Sequence, residues 1–300
     1  MNEIDSLIAS LEQEIRLEQQ GTEQYESLER LQQIAATYEG EDRIISSLEL
    51  WEDIKNAPPE RKILTGFEEF DRILEGFRET QLIILSGITK HGKTSMAIEL
   101  TIRLKEEHPL WFSFEEPAVD LVRKFVERNE EPPLFFTPKK MLGNSLEWVE
   151  KKIVESIAKH NSRVIFIDHL GFLQDSVNAR NDENMAYKIE RIVRSLKQMA
   201  VRWKIVTVLL CHLTKTKIDT NPSFDDLKGS SAIAQEADTV MILWRNTKRE
   251  GGKIVITNET NLSIQANRRV GRTGNIRFIY QNGRFKEDEW QQGETVVENW

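Results

Sequence analysis

The chain has 300 residues, of which 39% are hydrophobic, 30% charged and 8% aromatic, a balance that excludes a disordered chain, a collagen and a disulfide-stapled miniprotein. Its one cysteine, Cys211, permits no intramolecular disulfide and no cysteine-based zinc cluster. The net charge of −8 is unevenly spread: residues 1–60 carry 15 acidic and 4 basic side chains, net −11, and residues 61–300 carry 34 and 37, net +3. A slightly basic body keeps nucleic acid open as a partner despite the acidic whole.

The N-terminus is acidic and polar, which reads as no signal peptide, and the apolar runs fall far short of the ~20 residues that cross a bilayer. The expectation is no membrane contact and a cytoplasmic location. In the first 38 residues, Ile4, Leu7, Ile8, Leu11 and Ile15 recur at three- and four-residue spacing, and Leu28, Leu31, Ile34 and Ala35 continue the stripe after Gly21. This predicts amphipathic helix, with Gly40 as a C-cap. A further helix is predicted over 44–54, ending before Pro58-Pro59, a dipeptide that cannot continue a helix and favours an extended linker. The division that follows is an acidic helical arm and linker at 1–60, a body at 61–286 and a tail at 287–300. The arm cannot bury its apolar stripe alone and needs either its own body or a neighbouring subunit.

Beyond residue 61, short apolar runs at 82–86, 110–114, 164–168, 205–210 and 239–244 alternate with helical patterns at 94–105, 118–127, 146–159 and 185–203. That alternation predicts an α/β fold, a mostly parallel sheet flanked by helices. Segments 253–257, 262–266, 275–280 and 284–286 read instead as C-terminal antiparallel strands, with turns at Gly274 and Asn282-Gly283.

Gly87-Ile88-Thr89-Lys90-His91-Gly92-Lys93-Thr94 follows an apolar strand and opens a helix, matching G-x-x-x-x-G-K-[ST] in the context that pattern requires, with Ser95 next in the helix. Glycines let successive backbone N–H groups and the helix N-terminus face a phosphate chain, while Lys93 places a point charge on the terminal phosphates. Thr94 is a magnesium ligand in this chemistry, so ATP and Mg2+ are the expected cofactors. The magnesium shell also needs a carboxylate at the end of a neighbouring strand, which Asp168 supplies after four apolar residues. Hydrolysis needs a base to orient water, and Glu115, with Glu116 as the alternative, ends the strand expected beside the phosphate loop. Cys211 reads as a core residue.

The phosphate loop, then Phe112-Ser-Phe-Glu115, Ile165-Phe-Ile-Asp168-His-Leu170, Leu209-Leu-Cys-His212-Leu213, the stretch from Asp226 to Asp238 and the stretch from Ala266 to Gly274 occur in a set order. In that order they resemble the RecA-like motor domain of DnaB-type replicative helicases, and more closely the branch of bacteriophage primase-helicases and Twinkle. The resemblance covers about residues 64–285. It implies a RecA-like P-loop NTPase core in which Glu115 activates water, and His212, where bacterial enzymes carry glutamine, senses the terminal phosphate. It further implies that Arg269 acts on the site of the adjacent subunit. Asn267 stands where the family usually has lysine, and Arg268 is the available substitute; Arg272 completes a basic trio.

The implied activity is an ATP-dependent, ring-forming DNA helicase of DNA replication, a hexamer that translocates on single-stranded DNA, with a primase or helicase loader as a further partner. DNA contacts are expected from Lys215, Lys217 and Lys228 with Gly229, Ser230 and Ser231, where flexible backbone, hydroxyls and lysines suit phosphate contact without base reading. Phe224 is the only ring in that stretch, which favours phosphate tracking over base stacking, and Arg180 is a lesser candidate. The alternative is a RecA-fold ATPase of the RadA or KaiC kind, acting in recombination or signalling without unwinding. A non-catalytic loader or scaffold fits poorly with Lys93, Glu115 and Asp168 all present.

Overall fold

The computed structural model describes residues 23–40, 43–129, 131–173, 185–213, 221–227, 233 and 235–288. The chain divides into two units between Pro59 and Glu60. In the first, helix α1 (Glu23–Ala36) stops short of Gly40, its last turn tightening as the Thr37 and Tyr38 amides bond to the Ile34 (3.2 Å) and Ala35 (3.3 Å) carbonyls. Helix α2 (Ser47–Asn56) begins later than its apolar pattern suggests, because the Ser46 side chain accepts the Glu49 amide at 3.1 Å and caps it there. Leu48, Trp51 and Ile54 of α2 are exposed. The stripe from Ile4 to Ile15 lies outside the described residues.

The second unit opens with a two-stranded antiparallel sheet, β1 (Lys62–Ile63) and β2 (Phe77–Arg78), around helix α3 (Glu68–Leu74). Eight further strands form the central sheet: β3 (Leu82–Gly87), β4 (Leu110–Ser113), β5 (Val164–Asp168), β6 (Val206–Leu210), β7 (Thr239–Glu250), β8 (Lys253–Asn267), β9 (Gly274–Gln281) and β10 (Arg284–Glu287). Their order is β10-β9-β8-β7-β3-β6-β5-β4, with β7 to β4 parallel and β8 to β10 antiparallel. Alternation along the buried strands divides the core between the two faces. Ile83 and Leu85 join Phe166, Met96 of α4 (Lys93–Arg103) and Phe125 of α5 (Ala118–Asn129). Leu82 and Ile84 join Ile167, Ile153 of α6 (Leu146–His160) and Val193 of α7 (Met185–Arg202). The result is a helix–sheet–helix sandwich, and no helix among the described residues is long and apolar enough to cross a membrane.

Three sequence expectations are corrected here. The segments 253–257 and 262–266 are one strand, β8, because β7 continues past Trp244 as a polar, exposed stretch that keeps its ladder with β8 as far as Glu250 paired with Lys253. The apolar alternation fades there while the backbone pairing does not. Gly274 is not a turn residue: it pairs with Ile264 at the start of β9, and the turn lies upstream, around Gly271 with φ +73°. Glu287 is no tail residue, since it ends β10 and its carboxylate accepts the amides of Glu68, Glu69 and Phe70 at the start of α3, at 2.7, 3.1 and 3.2 Å. That carboxylate satisfies helix-end donors that have no partner within the helix.

Candidate active site

Strand β3 delivers the phosphate loop to the C-terminal edge of the parallel strands. Gly87 is there because a Cβ at that position would meet the Leu243 carbonyl oxygen of β7 at 2.0 Å. Gly92 adopts φ +104° as the cap of α4, a conformation that side-chain-bearing residues rarely take. Within the loop the Lys93 ammonium, nearly buried, donates to the carbonyls of Gly87 (2.8 Å) and Ile88 (3.2 Å). Burial holds its pKa below the ordinary lysine value, opposed by Asp168 and Glu115 nearby. His91 is buried and its Nδ1 accepts the Arg245 amide at 3.0 Å, which ties the loop to β7. Ile88 is half-buried, and Thr89 and Lys90 are exposed at the loop's tip.

Thr94 Oγ1 donates to Asp168 Oδ2 at 2.8 Å, joining the first turn of α4 to the end of β5. Burial raises the Asp168 carboxyl to about 6; Glu115 and Glu116 push the same way, while the Thr94 bond and Lys93 oppose them. A buried carboxylate beside a threonine hydroxyl is a hard oxygen pair suited to a magnesium ion, whose charge would relieve that burial. The sequence expectation that β5 neighbours β3 is corrected, since β6 lies between them. Side chains from the first turn of α4 and the tip of β5 nevertheless meet.

Strand β4 is likewise not beside the phosphate loop. It is the outer strand, paired to β5 in the main sheet, and the ladder is extended by the Phe114 amide bonding to the Asp168 carbonyl at 2.8 Å. Glu115 still reaches the site, because the chain turns inward after β4 and sets its carboxylate 3.9 Å from His169 Nδ1. Glu116 does not compete for that role: its carboxylate is ion-paired to Lys124 of α5. His212 follows β6, and its ring lies against that of His169, centroids 4.1 Å apart at 71°. Burial lowers both imidazoles, His169 to about 4 with His212 adding to the effect, which favours the neutral form of each. Cys211 is buried, its thiol pushed up to about 12 by desolvation, and it packs as an inert core residue.

Sequence reasoning gave His169 no role. Its signal is the pairing of Ile167 with Leu209, which sets the residues just beyond β5 and β6 side by side, and that pairing is visible only once the strand order is known. Arg245 and Tyr280 were missed for the same reason. The Arg245 guanidinium sits 4.9 Å from the Tyr280 ring centroid, and the Tyr280 hydroxyl lies 3.4 Å from Ser95 Oγ, itself 3.3 Å from Arg128 Nη2.

The arginine trio is elsewhere. Asn267 pairs with Thr239, which pairs with Ile83, whereas the phosphate loop leaves β3 at Gly87. Four residues of strand, about 13 Å, therefore separate the two ends of the sheet. At that far end Arg269 is ion-paired to Glu60, and Arg272 reaches Glu75 (3.6 Å) and the Arg72 carbonyl (3.1 Å). Asn267 is buried, accepting the Val270 amide at 3.3 Å and donating to the Ile73 carbonyl at 3.4 Å. Lys215, Lys217, Lys228, Gly229, Ser230, Ser231 and Arg180 lie outside the described residues, and Phe224 forms a short 3-10 turn with Asp225 and Asp226.

Comparison with known proteins gives a consistent set of likenesses. The family described as DnaB-like helicase C terminal domain matches residues 62–134 and 133–287. The replicative DNA helicase DnaB of Geobacillus stearothermophilus is 27% identical over 258 residues, covering 74% of this chain and 56% of that protein. The chain spans about half the length of the curated relatives it matches. The ATPase domain of G40P superposes with a TM-score of 0.67 at 20% identity, covering 81% of this chain and 97% of that one. A DnaB-like replicative helicase described with its primase interactions superposes at 0.66 with 19% identity, covering 93% and 74%. The shared fold is the RecA-like ATPase core.

Proposed function

This chain belongs to the DnaB-like helicase C-terminal domain family, and on that premise we propose that it is an ATP-driven, ring-forming motor that translocates on single-stranded DNA and unwinds duplex in DNA replication. The observation that carries the reading is the Thr94–Asp168 hydrogen bond, which brings phosphate loop and strand-end carboxylate together with Glu115 and His212 at the same edge. Residues 87–95 would cradle the phosphates, with Lys93 exchanging its loop carbonyls for the terminal phosphate. Thr94 and Asp168 are the residues that would hold magnesium, which supplies charge neutralisation when bound. Glu115 orients the attacking water, and the neutral His212 beside it responds to the terminal phosphate. The planar faces of Arg245 and Tyr280, flanking the loop, suit the nucleotide base.

Arg269 lies at the far end of the sheet from its own phosphate loop, so any role at a transferring phosphate is played in the site of a neighbouring subunit. That geometry favours sites shared between neighbouring subunits over a self-contained ATPase, and the closed ring, with a hexamer as its size, is taken from the family resemblance; the RadA or KaiC kind gains nothing from the relatives matched. The acidic arm at 1–60, with exposed Leu48, Trp51 and Ile54, is assigned to docking on an adjacent subunit. Lys215, Lys217 and Lys228, with Gly229, Ser230 and Ser231, are assigned to DNA phosphates, and a primase or helicase loader is the further partner class.

The test is ATP hydrolysis with and without single-stranded DNA, followed by unwinding of a forked duplex. Stimulation and strand separation are expected; hydrolysis indifferent to DNA would overturn the motor reading. Alanine at Lys215, Lys217 and Lys228 should lower the slope of log K on log salt by ~0.7 per lysine on single strands.

A further inference from the structure

We propose that Glu115, His169 and His212 form a binding site for a borderline first-row transition cation of the zinc class, separate from the hard-oxygen pair Thr94 and Asp168, and that a cation held there arrests hydrolysis. Each of the three residues offers one donor atom, and those atoms all lie within 4.8 Å of one another. His169 Nδ1 is 3.9 Å from Glu115 Oε2. The two imidazole rings stand at 71° rather than stacked, so their in-plane lone pairs are not forced apart as in parallel rings.

Two features separate this cluster from an ordinary strand-end group. Nδ1 of His169 and Nδ1 of His212 are both buried with no hydrogen-bond partner among the described residues. Burying such an atom unpaired is costly, and a shared cation would satisfy nitrogens that the fold leaves without a bond. The donor set also differs in kind from its neighbour. Two imidazole nitrogens and one carboxylate form the donor set of open zinc sites, whereas a hydroxyl and a carboxylate suit magnesium.

The geometry needs little adjustment. Zinc bonds of about 2.1 Å in a tetrahedral arrangement set donors roughly 3.5 Å apart, so donors within 4.8 Å of one another must close by about 1.3 Å at most. Glu115 can supply that movement, since more than half of its side chain is exposed. The protein would provide three ligands and leave a fourth position to solvent. A carboxylate that gives one oxygen to a cation keeps its second as an acceptor but is a much weaker base toward the attacking water, and this inhibitory half rests on the assignment of Glu115 made above. The binding half does not.

The test uses cobalt(II) as the spectroscopic probe and zinc as the competitor, on the full, tag-free, nucleotide-free chain in excess Mg2+. One equivalent of Co2+ should bind with the visible absorption of a low-coordinate site and be displaced by Zn2+. Glu115→Gln, His169→Ala and His212→Ala should each weaken binding about 100-fold or more, since each removes a direct ligand. His160→Ala, a histidine stacked on Phe136 away from the cluster, should leave it intact. Unchanged Co2+ affinity in the three variants would overturn the site. Should a variant fail to fold, the imidazole 15N spectrum of the unmodified protein decides: two of the five histidines should shift with one equivalent of Zn2+, and a shift of none or of one overturns the site. In the hydrolysis arm, Zn2+ should inhibit at near-stoichiometric concentration. Tight Co2+ binding with hydrolysis untouched would overturn the inhibitory half together with the role of Glu115, while leaving the cation site standing.

Discussion

The two ends of the central sheet handle charge in opposite ways. At the phosphate-loop end, burial dominates: it raises the Asp168 carboxyl to about 6 and lowers the Lys93 ammonium, and the ammonium bonds only to loop carbonyls. At the other end, pairing dominates. The hydrogen bond from Lys62 pulls the Glu75 carboxyl below its usual range, Lys197 holds Asp238 at 2.7 Å, and Arg269 is paired to Glu60. The first end carries charge that the fold does not compensate, a costly state that suits a place where a ligand brings charges of its own. At the second end the charges named are paired within the chain, so a role for Arg269 in another subunit's site would exchange a surface ion pair of small worth for a phosphate.

The sharpest way to break this contrast is to disable the two ends in separate molecules. Lys93→Ala should abolish hydrolysis by removing the charge on the terminal phosphates, and Arg269→Ala should slow it ~10³-fold or more with nucleotide binding nearly unchanged. Mixed together, the two inactive proteins should regain hydrolysis, because some interfaces then combine an intact loop with an intact arginine. A mixture that stays inactive although subunits exchange would defeat the division of labour between the ends.

Within the phosphate-loop end, Glu115→Gln should reduce hydrolysis ~10²- to 10⁴-fold while sparing nucleotide affinity. Glu116→Gln should have little effect on the chemical step, since that carboxylate is committed to Lys124. Equal losses in single-turnover hydrolysis would remove the distinction between them.

Asp168→Asn probes the cost of uncompensated charge directly. The carboxyl titrates higher in the folded chain than in the unfolded one, so it subtracts stability once pH rises above about 4, and the whole penalty is present above about 6. The variant should therefore be more stable than the wild type at pH 7.5 by about 2–3 kcal/mol, and the gain should vanish below about pH 4. Denaturant melts of the nucleotide-free protein at the two pH values check this, and hydrolysis should move the opposite way. A loss of stability at pH 7.5 would contradict the reading of burial as the dominant cause.

Asn267→Ala gives the smallest effect, about 1 kcal/mol of stability, by removing the bonds to Val270 and Ile73 that shape the turn bearing Arg269. Thermal unfolding measures the stability loss. If the turn also aims Arg269, hydrolysis should fall several-fold with no change in nucleotide affinity, and an unaltered rate would make Asn267 purely structural.

The sequence alone determined what depends on neighbours along the chain. Residues 87–94 were legible because a phosphate loop is a local object, with its strand, glycines, lysine and helix start contiguous. Asp168 and Glu115 were legible as polar residues closing apolar runs, and Asn282-Gly283 as a turn, which the structure bears out with φ +51° and +78°. What only the tertiary structure decided depends on strand order and register, which are set by the packing of distant segments. Insertion of β6 between β3 and β5 determines that His169 and His212 touch and that Glu115 arrives from the sheet's outer strand. Register along β3, β7 and β8 puts Arg269 at the opposite end from its own loop, and the commitment of Glu116 to Lys124 separates two adjacent glutamates that are chemically the same in sequence. None of these facts has a local signature, because a one-residue slip in register or one exchange of strands would leave every motif intact and relocate the side chains that meet.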